Sequence, residues 1–465
     1  MHRLNAFMRG LFFSAALLCI PAEQVLAADS QNPPERINHV IVIYQENWSF
    51  DGLYGKFPGA NGLTAAGAAV TQVDKEEKPL QKLPRPLDTS QKPAAPDIRF
   101  PEQLAAEPYD LSQYVSPDQK TGDLVHRYYQ NQLQIDGGKM DKFAVFSDNP
   151  GLVMSYYDAS DLPEGKLARQ YTLADNFFQA AFGGSLLNHF WLICACTPLW
   201  PEAPESMIIK LDSRGIPTQD NAVTPDGFVV NTAYSVNQPH PINMQDRSKL
   251  MPLQTMPTIG DRLSERNITW AWYAGGWNNA LAGNPDNDFQ YHHQPFIYFA
   301  NYADGTPAKA AHLKDEQDFL KDLQNGNLPS VSFIKPIGTD NEHPGYASLL
   351  VGQRHVASLV QAVQGSPYWG DTLIIVTYDE NGGRWDHVAP PKGDRWGPGV
   401  RVPAIIISPY ARRGYVDHTQ YDTTSILRFI EKRWDLAPLT SRDRAANDLR
   451  NALELTTAYP AEELH

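Results

Sequence analysis

The feature of this 465-residue chain that most constrains its fold is a set of short apolar runs, each bounded by turn-forming residues. The clearest runs lie at residues 40–44, 332–334, 372–378 and 404–408. Uninterrupted apolar runs of this length are typical of parallel strands that are buried on both faces. Residues 346–363 and 423–434 instead carry apolar side chains at helical spacing. Strands that alternate with helices predict an α/β fold, with a mostly parallel central sheet flanked by helices.

Two of the predicted strands end in the same way. Residues 40–44 lead into Gln45-Glu46-Asn47, and residues 372–378 lead into Asp379-Glu380-Asn381. Ligands of such sheets gather beyond the carboxyl ends of the strands, where carboxylate and amide oxygens can hold a divalent cation. Neighbouring residues of a strand face opposite sides, so each pair can share one ion only if the backbone leaves strand geometry there. Capping of turns or helices is the alternative role of these residues.

A glycine turn at Gly183-Gly184 precedes a third candidate element. Ser185 follows the turn, and an apolar run at residues 190–195 comes soon after, which predicts a buried helix that begins near Ser185. A serine at a helix N-terminus meets free backbone N–H groups and the positive end of the helix dipole, which favour a phosphate. The alternative is that Ser185 only caps the helix.

Several histidines lie in polar or aromatic surroundings: His126, His189, His292, His293, His343 and His387. An imidazole can bind phosphoryl oxygens and can give a proton to a leaving alcohol near neutral pH. Any single histidine is more often an ordinary surface or core residue. A catalytic role therefore depends on several of them lying close together.

Three short motifs follow one another along the chain. They are Glu-Asn-Trp-Ser-Phe-Asp at residues 46–51, Glu-His-Pro-Gly at residues 342–345 and Asp-His-Val-Ala-Pro-Pro at residues 386–391. Together with residues 175–189, they resemble the phosphoesterase family, which holds bacterial phospholipases C and acid phosphatases of the AcpA type. The resemblance runs in order from about residue 39 to 410. It implies an alkaline-phosphatase-like fold with cap-forming insertions.

The resemblance also implies roles for individual residues. It implies one divalent metal ion of unknown identity, with these ligands: Glu46, Asn47, Asp379, Glu380 and Ser185. Ser185 is expected to be the nucleophile as well. The residues expected around the phosphoryl group are His126, His292, His293, His343 and, as a substrate contact, Asn188. Trp48 stands where many members carry arginine, and Glu380 replaces a second aspartate. Asp386 and His387 either touch substrate or brace their loop, and we favour bracing.

These roles predict a two-step displacement through a phosphoserine, in which the metal activates Ser185 and a histidine protonates the leaving alcohol. The segment around Ser185 resembles the phosphatase branch, since the phospholipase branch more often has a threonine nucleophile. An acid phosphatase that hydrolyses phosphomonoesters is therefore preferred. The alternatives are a phospholipase C that cleaves phosphatidylcholine and a periplasmic protein that only binds phosphate esters. Pure binding would not need a serine beside a metal.

The N-terminal residues have the sequence pattern of a secretory signal peptide. Arg3 and Arg9 precede the apolar residues 11–20, and Val25-Leu26-Ala27 suits a signal peptidase. We expect residues 1–27 to be removed and residues 28–465 to form one domain in the periplasm or outside the cell. Proline-rich stretches near residues 68–105 and 198–260 are expected to be insertions that wall the substrate cleft. Residues 227–232 look β-like within the second stretch.

The net charge of the chain limits the class of binding partner that we expect. Loss of residues 1–27 would change the formal charge from −14 to −15. An acidic surface disfavours nucleic acid, so a small phosphorylated substrate is the expected partner. We expect no stable membrane anchor, because no later segment is long and apolar enough.

Cys194 and Cys196 are predicted to be buried free thiols, since a disulfide is difficult at this spacing within a regular element.

Overall fold

The structure is a computed structural model that describes residues 36–244 and 246–454. The predicted signal peptide lies outside these residues. The strands of its eight-stranded sheet are β1 (His39–Gln45), β2 (Thr172–Ala174), β3 (Trp270–Ala274), β4 (Leu313–Asp315), β5 (Val331–Lys335), β6 (Thr372–Tyr378), β7 (Ala404–Ile407) and β8 (Tyr415–Asp417). Their spatial order is β4-β3-β5-β1-β6-β7-β2-β8, and β7 alone runs against the others. The predicted α/β fold with a mostly parallel sheet is confirmed.

Helices flank this sheet. The α-helices of the described residues are α1 (Phe50–Tyr54), α2 (Tyr128–Ile135), α3 (Pro163–Gln170), α4 (Ser185–Cys194), α5 (Ile259–Glu265), α6 (Trp277–Leu281), α7 (Pro307–His312), α8 (Glu316–Gln324), α9 (Leu349–Gln364), α10 (Thr423–Trp434) and α11 (Ser441–Ala445). Both helices predicted from apolar spacing form, as α9 and α10. A capping box between Asp422 and Ser425 begins α10. None of the helices in the described ranges has the length and apolar character needed to cross a bilayer.

The centre of the sheet is the core of the protein. Residues 40–43 of β1 and residues 373–376 of β6 have at most 1% of their surface exposed. Each fully buried valine or isoleucine contributes roughly 1.5–3 kcal/mol relative to an exposed one. The two strands pair in parallel from His39 opposite Thr372 to Gln45 opposite Tyr378. They therefore end at the same level, with their polar continuations side by side.

The remaining strands form two-stranded ladders outside the main sheet: Lys82–Pro84 with Gln103–Ala105, Leu87–Asp88 with Ala95–Pro96, Tyr109–Asp110 with Ser155–Tyr156, Phe177–Phe178 with Tyr421–Asp422, Lys210–Leu211 with Pro217–Gln219, and Tyr234–Ser235 with Leu250–Met251. Residues 227–232 were expected to be β-like, but they do not form a strand. Phe228 and Val229 make only isolated bridges to different partners, because they follow a tight turn in which Gly227 has a φ of +88°.

The prediction of two free thiols was also wrong. Cys194 and Cys196 form a disulfide, with their Cα atoms 5.1 Å apart. The prediction assumed that both residues lie in one regular element. Instead α4 ends at Cys194, and Ala195 adopts a left-handed conformation with a φ of +46°. The chain turns back at this residue, which brings the two sulfur atoms together.

Candidate active site

The polar ends of β1 and β6 leave strand geometry, as a shared ion would require. Asn47 has a φ of +68°, and Gly382 has a φ of +60°. A Cβ atom on Gly382 would lie 2.5 Å from the backbone oxygen of Asn47. Only glycine therefore allows the two ends to touch, since such a contact is far inside the van der Waals distance. The backbone N–H of Asp379 also donates to Gln45 O at 3.0 Å.

Three predicted metal ligands present oxygens without a partner. Asn47 Oδ1, Asp379 Oδ2 and Glu380 Oε1 are buried and accept no hydrogen bond from the described residues. The second oxygens of the two acids are held by backbone N–H groups, at 2.8 Å for Asp379 and 2.6 Å for Glu380. Leaving a buried acceptor unpaired costs about 1–3 kcal/mol. Several such oxygens on adjacent strand ends fit a hard divalent cation.

The electrostatics of the strand ends agree with that fit. The pKa of Asp379 is raised to about 7, chiefly by burial; Lys335 opposes the rise, and the nearby Glu46 charge adds to it. The pKa of Glu380 is raised well above its usual value by burial and by the charge of Asp379. The anionic forms of these acids therefore need a positive charge beside them.

Ser185 begins α4 and lies beside these acids. Gly184 is the N-cap residue, so Ser185 is the first helical residue rather than the cap. The turn before it depends on Gly183, where φ is +89° and a Cβ atom would lie 2.5 Å from the backbone nitrogen of Tyr128. Interaction with the Ser185 side chain lowers the pKa of Asp379. The predicted nucleophile is thus adjacent to the end of β6.

Asn188 does not lie where a substrate contact would. Its side chain is fully buried, and its Oδ1 accepts a hydrogen bond from Ala181 N at 2.9 Å. Its Nδ2 donates to Ala181 O at 3.1 Å and to Gly183 O at 3.3 Å. These bonds use the amide to hold the turn before Ser185. The contacts of Asn188 are those of a structural residue.

His126 and His343 face the same space from two loops. His126 Nδ1 lies 2.6 Å from Leu124 O, and His343 Nδ1 lies 2.5 Å from Pro344 O. A carbonyl at that distance requires an Nδ1–H, which leaves each Nε2 directed at the acidic ends of the strands. His126 Nε2 is 3.6 Å from Glu380 Oε1, and His343 Nε2 is 3.9 Å from Glu46 Oε2. Burial lowers the pKa of His126.

His292 and His293 lie on the short 3₁₀ helix Tyr291–His293, with their ring centroids 4.6 Å apart. His293 Nε2 contacts Glu46 Oε1, while His292 faces the cavity described below. Burial lowers the pKa of His293 to about 4 and that of His292 well below its usual value. These shifts favour the neutral form of both rings at neutral pH.

Two residues of the site, Lys335 and Tyr346, were not predicted from the sequence, and His189 was predicted only as one of several histidines in polar or aromatic surroundings. His189 Nδ1 lies 2.7 Å from Ser185 O, and its ring stacks on that of His293 at 5.3 Å. Lys335 Nζ lies 2.7 Å from Glu46 Oε1, and the Tyr346 hydroxyl donates to Glu46 Oε2 at 3.1 Å. The position of His189, four residues after Ser185, places both on one helix face. Lys335 directly follows the apolar run at residues 332–334, which was a second usable signal.

These side chains meet in a cavity of about 650 Å³. Its walls are predominantly polar: Glu46, Thr89, Lys92, Ala94, Asp123, Leu124, Val125, His126, Arg127, Asp148, Gly184, Ser185, Asn231, Thr232, Tyr234, Gln290, His292, His343 and Tyr346. Residues 89–94 and 231–234 belong to the two stretches that were predicted to wall a cleft, and both do line this cavity. A larger cavity of about 820 Å³ beside α6, α7 and α8 contains none of the predicted site residues.

Two further groups of side chains near the cavity offer possible ligand atoms within 4.8 Å of one another. They are Glu46 with His189 and His293, and Asp123 with His126 and His343. In the first group, Lys335 already places a positive charge on Glu46. The strand ends remain the place where oxygen ligands without partners gather.

Asp386 and His387 form a bracing network outside the cavity. Arg401 Nε donates to Asp386 Oδ1 at 3.0 Å, and Asp51 N donates to Asp386 Oδ2 at 3.0 Å. His387 Nδ1 lies 2.6 Å from Asp51 Oδ2. Trp48 is buried with the Arg384 guanidinium 4.0 Å from its ring centroid. These contacts tie the loop at residues 384–388 to the segment that follows β1.

A buried pair of acids, Glu164 and Glu342, contacts the last residues of β1 and β6. The Tyr378 hydroxyl lies 3.0 Å from Glu164 Oε2 and 2.7 Å from Glu342 Oε2. Gln45 Nε2 donates to Glu342 Oε1 at 3.0 Å. Burial raises the pKa of Glu164 to about 7 and that of Glu342 well above its usual value. Gln45 and Tyr378 are the last residues of β1 and β6, so this pair positions both ends.

Comparison with known proteins gives matches along most of the chain. The profile of the Phosphoesterase family matches residues 37–437. Phospholipase C A of Mycobacterium tuberculosis is 25% identical over 462 residues, which cover 90% of this chain and 78% of that protein. The non-hemolytic phospholipase C of Pseudomonas aeruginosa is 25% identical, covering 86% of this chain and 54% of that protein. The non-specific phospholipase C6 of Arabidopsis thaliana is 33% identical over 175 residues, or 30% of this chain and 33% of that protein.

Solved structures give weaker matches. A protein of the alkaline phosphatase superfamily from Vibrio parahaemolyticus has a TM-score of 0.33 and 10% identity, covering 71% of this chain and 72% of that chain. The murine ectonucleotide pyrophosphatase/phosphodiesterase 5 has a TM-score of 0.32 and 10% identity, covering 60% of this chain and 90% of that chain.

Proposed function

Because the chain belongs to the phosphoesterase family, we propose that it hydrolyses phosphomonoesters, with Ser185 as the nucleophile and one divalent cation at the ends of β1 and β6. Family membership makes the chain a phosphoester hydrolase. The observation that carries the finer proposal is the placement of Ser185. It begins α4, lies beside Asp379, and lines the same cavity as Glu46, His126 and His343.

The residues that would hold the cation are Glu46, Asn47, Asp379 and Glu380, with Ser185 adjacent to them. The unpaired oxygens of Asn47, Asp379 and Glu380 are the observation that supports this ligand set. When bound, a divalent cation lowers the pKa of a neighbouring hydroxyl and neutralises charge on phosphoryl oxygens. Oxygen ligands of this kind suit Mg²⁺, Ca²⁺ or Mn²⁺.

The first chemical step is attack on phosphorus. Ser185 Oγ passes its proton to Nε2 of His343, which lines the same cavity, and forms a bond to phosphorus while the bond to the leaving oxygen breaks. This gives a phosphoserine and an alkoxide. Because α4 begins at Ser185 on the cavity wall, the free N–H groups of its first turn would hold the phosphoryl oxygens. In the second step, water gives a proton to His343 Nε2 and attacks phosphorus while the bond to Ser185 Oγ breaks. Ser185 Oγ takes up that proton, and inorganic phosphate leaves.

His343 is the residue proposed to give the leaving alkoxide a proton. Its Nδ1–H is held by Pro344 O, so Nε2 is the atom left to exchange a proton with a group in the cavity. The same atom, once deprotonated, can take a proton from the water of the second step. His126 and His292 line the cavity beside it and would contact the phosphoryl group.

The polar walls of the cavity support a monoester over a lipid. Leu124, Val125 and Ala94 are the aliphatic side chains among its lining residues, and the others are mostly charged or hydrogen-bonding. A diacylglycerol leaving group would need extended apolar surface to be taken out of water. A small polar leaving group fits these walls.

Phospholipase C is the second candidate function, because the curated relatives named above are phospholipases C. The test compares hydrolysis of p-nitrophenyl phosphate with that of phosphatidylcholine vesicles, each with and without a chelator. Faster turnover of the monoester is expected. Preference for the vesicles by tenfold or more in kcat/KM would refute the monoester proposal.

The nucleophile is tested with Ser185→Ala. This variant should lose at least about 1,000-fold in kcat on p-nitrophenyl phosphate while its circular dichroism spectrum stays that of the wild type. Ser213→Ala, in an exposed turn, is the matched control and should keep full activity. Wild-type turnover by Ser185→Ala would reject the mechanism. Saturable binding of the ester by the wild type without any turnover would support a binding protein instead.

Export remains part of the proposal. Its support is the sequence pattern of residues 1–27, which predicts a signal peptide. N-terminal sequencing of the protein from a bacterial periplasm should find a mature chain that starts near residue 28. Recovery of the uncut chain from the cytoplasm alone would contradict it.

A further inference from the structure

Lys335 is a fully buried lysine next to the proposed metal ligands. It ends β5, the strand beside β1, and its neighbour Ile334 pairs with Ile43. The Lys335 side chain extends beyond the end of β5 and reaches Glu46. Its Nζ lies 5.3 Å from the centroid of the Tyr44 ring. The Nζ–Oε1 distance is 2.7 Å, and both side chains are at most 1% exposed. Lys335 does not line the cavity, so substrate does not reach it.

A buried ammonium is costly unless a negative charge compensates it. Among the described residues, Glu46 is the ion-pair partner of Lys335. The strand ends place two more buried carboxylates, Asp379 and Glu380, in the same region. Lys335 thus places a positive charge within a cluster of three acids, none of which is exposed. Without this lysine, less positive charge would compensate the negative charge of the three acids, and their mutual repulsion would be stronger.

The ion pair also fixes how Glu46 is presented. Lys335 and His293 both contact Oε1, on the side away from the cavity. The second oxygen, Oε2, accepts a hydrogen bond from Tyr346 and faces His343, and both of these residues line the cavity. Because Lys335 and His293 hold Oε1, the other oxygen, Oε2, stays directed toward the cavity.

We infer that Lys335 is a positioning residue that stabilises the metal-free acid cluster, directs Glu46 toward the cavity, and opposes a bound cation by its charge. The inference rests on the proposed metal centre. The fixed ammonium and a divalent cation repel each other across a buried region, where such forces are strong. Lys335 therefore lowers the affinity for the cation, and its own charge compensates part of the acids' charge when no cation is bound.

The test measures cation binding and stability rather than activity. Lys335→Met keeps the length of the side chain and removes its charge, and Lys335→Gln also removes the charge but keeps a hydrogen-bond donor for Glu46. Calorimetric titration of each metal-free protein with Mn²⁺ should give a Kd about tenfold or more lower than that of the wild type. The metal-free variants should melt at a lower temperature than the metal-free wild type, and Mn²⁺ should raise their melting temperature by more.

Lys314→Met is the matched control. Lys314 lies on β4 and pairs with Asp322 at 2.7 Å, away from the strand ends that hold the acids. Its loss should leave the Kd for Mn²⁺ unchanged. If the wild type binds Mn²⁺ but both Lys335 variants bind it equally or more weakly, the inference about Lys335 is wrong. If the wild type binds none of Mg²⁺, Ca²⁺ and Mn²⁺, the metal centre itself is refuted, and the inference with it.

Discussion

Replacement of Glu164 by glutamine should flatten the dependence of stability on pH. Glu164 is fully buried beneath the strand ends, and its pKa in the folded protein is raised from 4.5 to about 7, chiefly by burial. The folded state therefore keeps this proton at pH values where the unfolded chain has lost it. By linkage, the free energy of unfolding falls as pH rises through that window. Below about pH 4.5 both states are protonated, and the effect vanishes.

The size of the effect follows from the shift. Each pKa unit corresponds to about 1.36 kcal/mol, so a rise from 4.5 to about 7 gives about 3 kcal/mol lost by the wild type between these pH values. Glutamine does not titrate, and its loss of charge also lowers the pKa of Glu342, which Glu164 raises. The variant should therefore lose about 3 kcal/mol less than the wild type over the same range.

Urea unfolding at several pH values between 4 and 8 measures this difference directly. Other buried acids contribute to both profiles, so the comparison between the two proteins isolates Glu164. Glu205→Gln is the control, because Glu205 is a surface acid with 84% of its side chain exposed. Parallel profiles for the wild type and Glu164→Gln would refute the reasoning.

Three further predictions concern the loop, the strand ends and the proton donor. Arg401→Met should lower the free energy of unfolding by about 3–5 kcal/mol in urea titrations, because Asp386 loses its buried partner, and a change below about 1 kcal/mol would contradict this. Gly382→Ala should weaken Mn²⁺ binding at least about tenfold by calorimetry, since its Cβ would meet Asn47 O at 2.5 Å in a conformation that favours glycine. Unchanged affinity would show that the two ends need not touch. His343→Gln should lower kcat about 100-fold on phenyl phosphate but far less on p-nitrophenyl phosphate, whose leaving group needs no proton. Equal losses on both esters would exclude His343 as the proton donor.

The parts of the fold that sequence predicts well are those set by local apolar pattern. The strand at residues 372–378 and the helix at residues 423–434 have the predicted bounds in the structure. The polar ends of β1 and β6 were also predicted to meet, because parallel strands end at a common edge. The required departure from strand geometry appears as the positive φ of Asn47.

Other features depend on contacts that local pattern does not contain. Lys335 reaches Glu46 only because β5 and β1 are neighbours in the sheet, which no periodicity specifies. The disulfide depends on a single left-handed residue, Ala195, after the last turn of α4. Asn188 carries a polar side chain in a motif that resembles an active site, yet its bonds go to the preceding turn. Such roles follow from tertiary packing.

The pairing of β1 with β6 has a consequence for the newly made chain. One half of the acid cluster follows residue 45 and the other follows residue 378, so the two halves are synthesised far apart in time. Contacts this distant in sequence form late in folding, because a long loop must close first. A chain still emerging from the ribosome, with β1 made and β6 not yet made, therefore lacks the complete acid cluster.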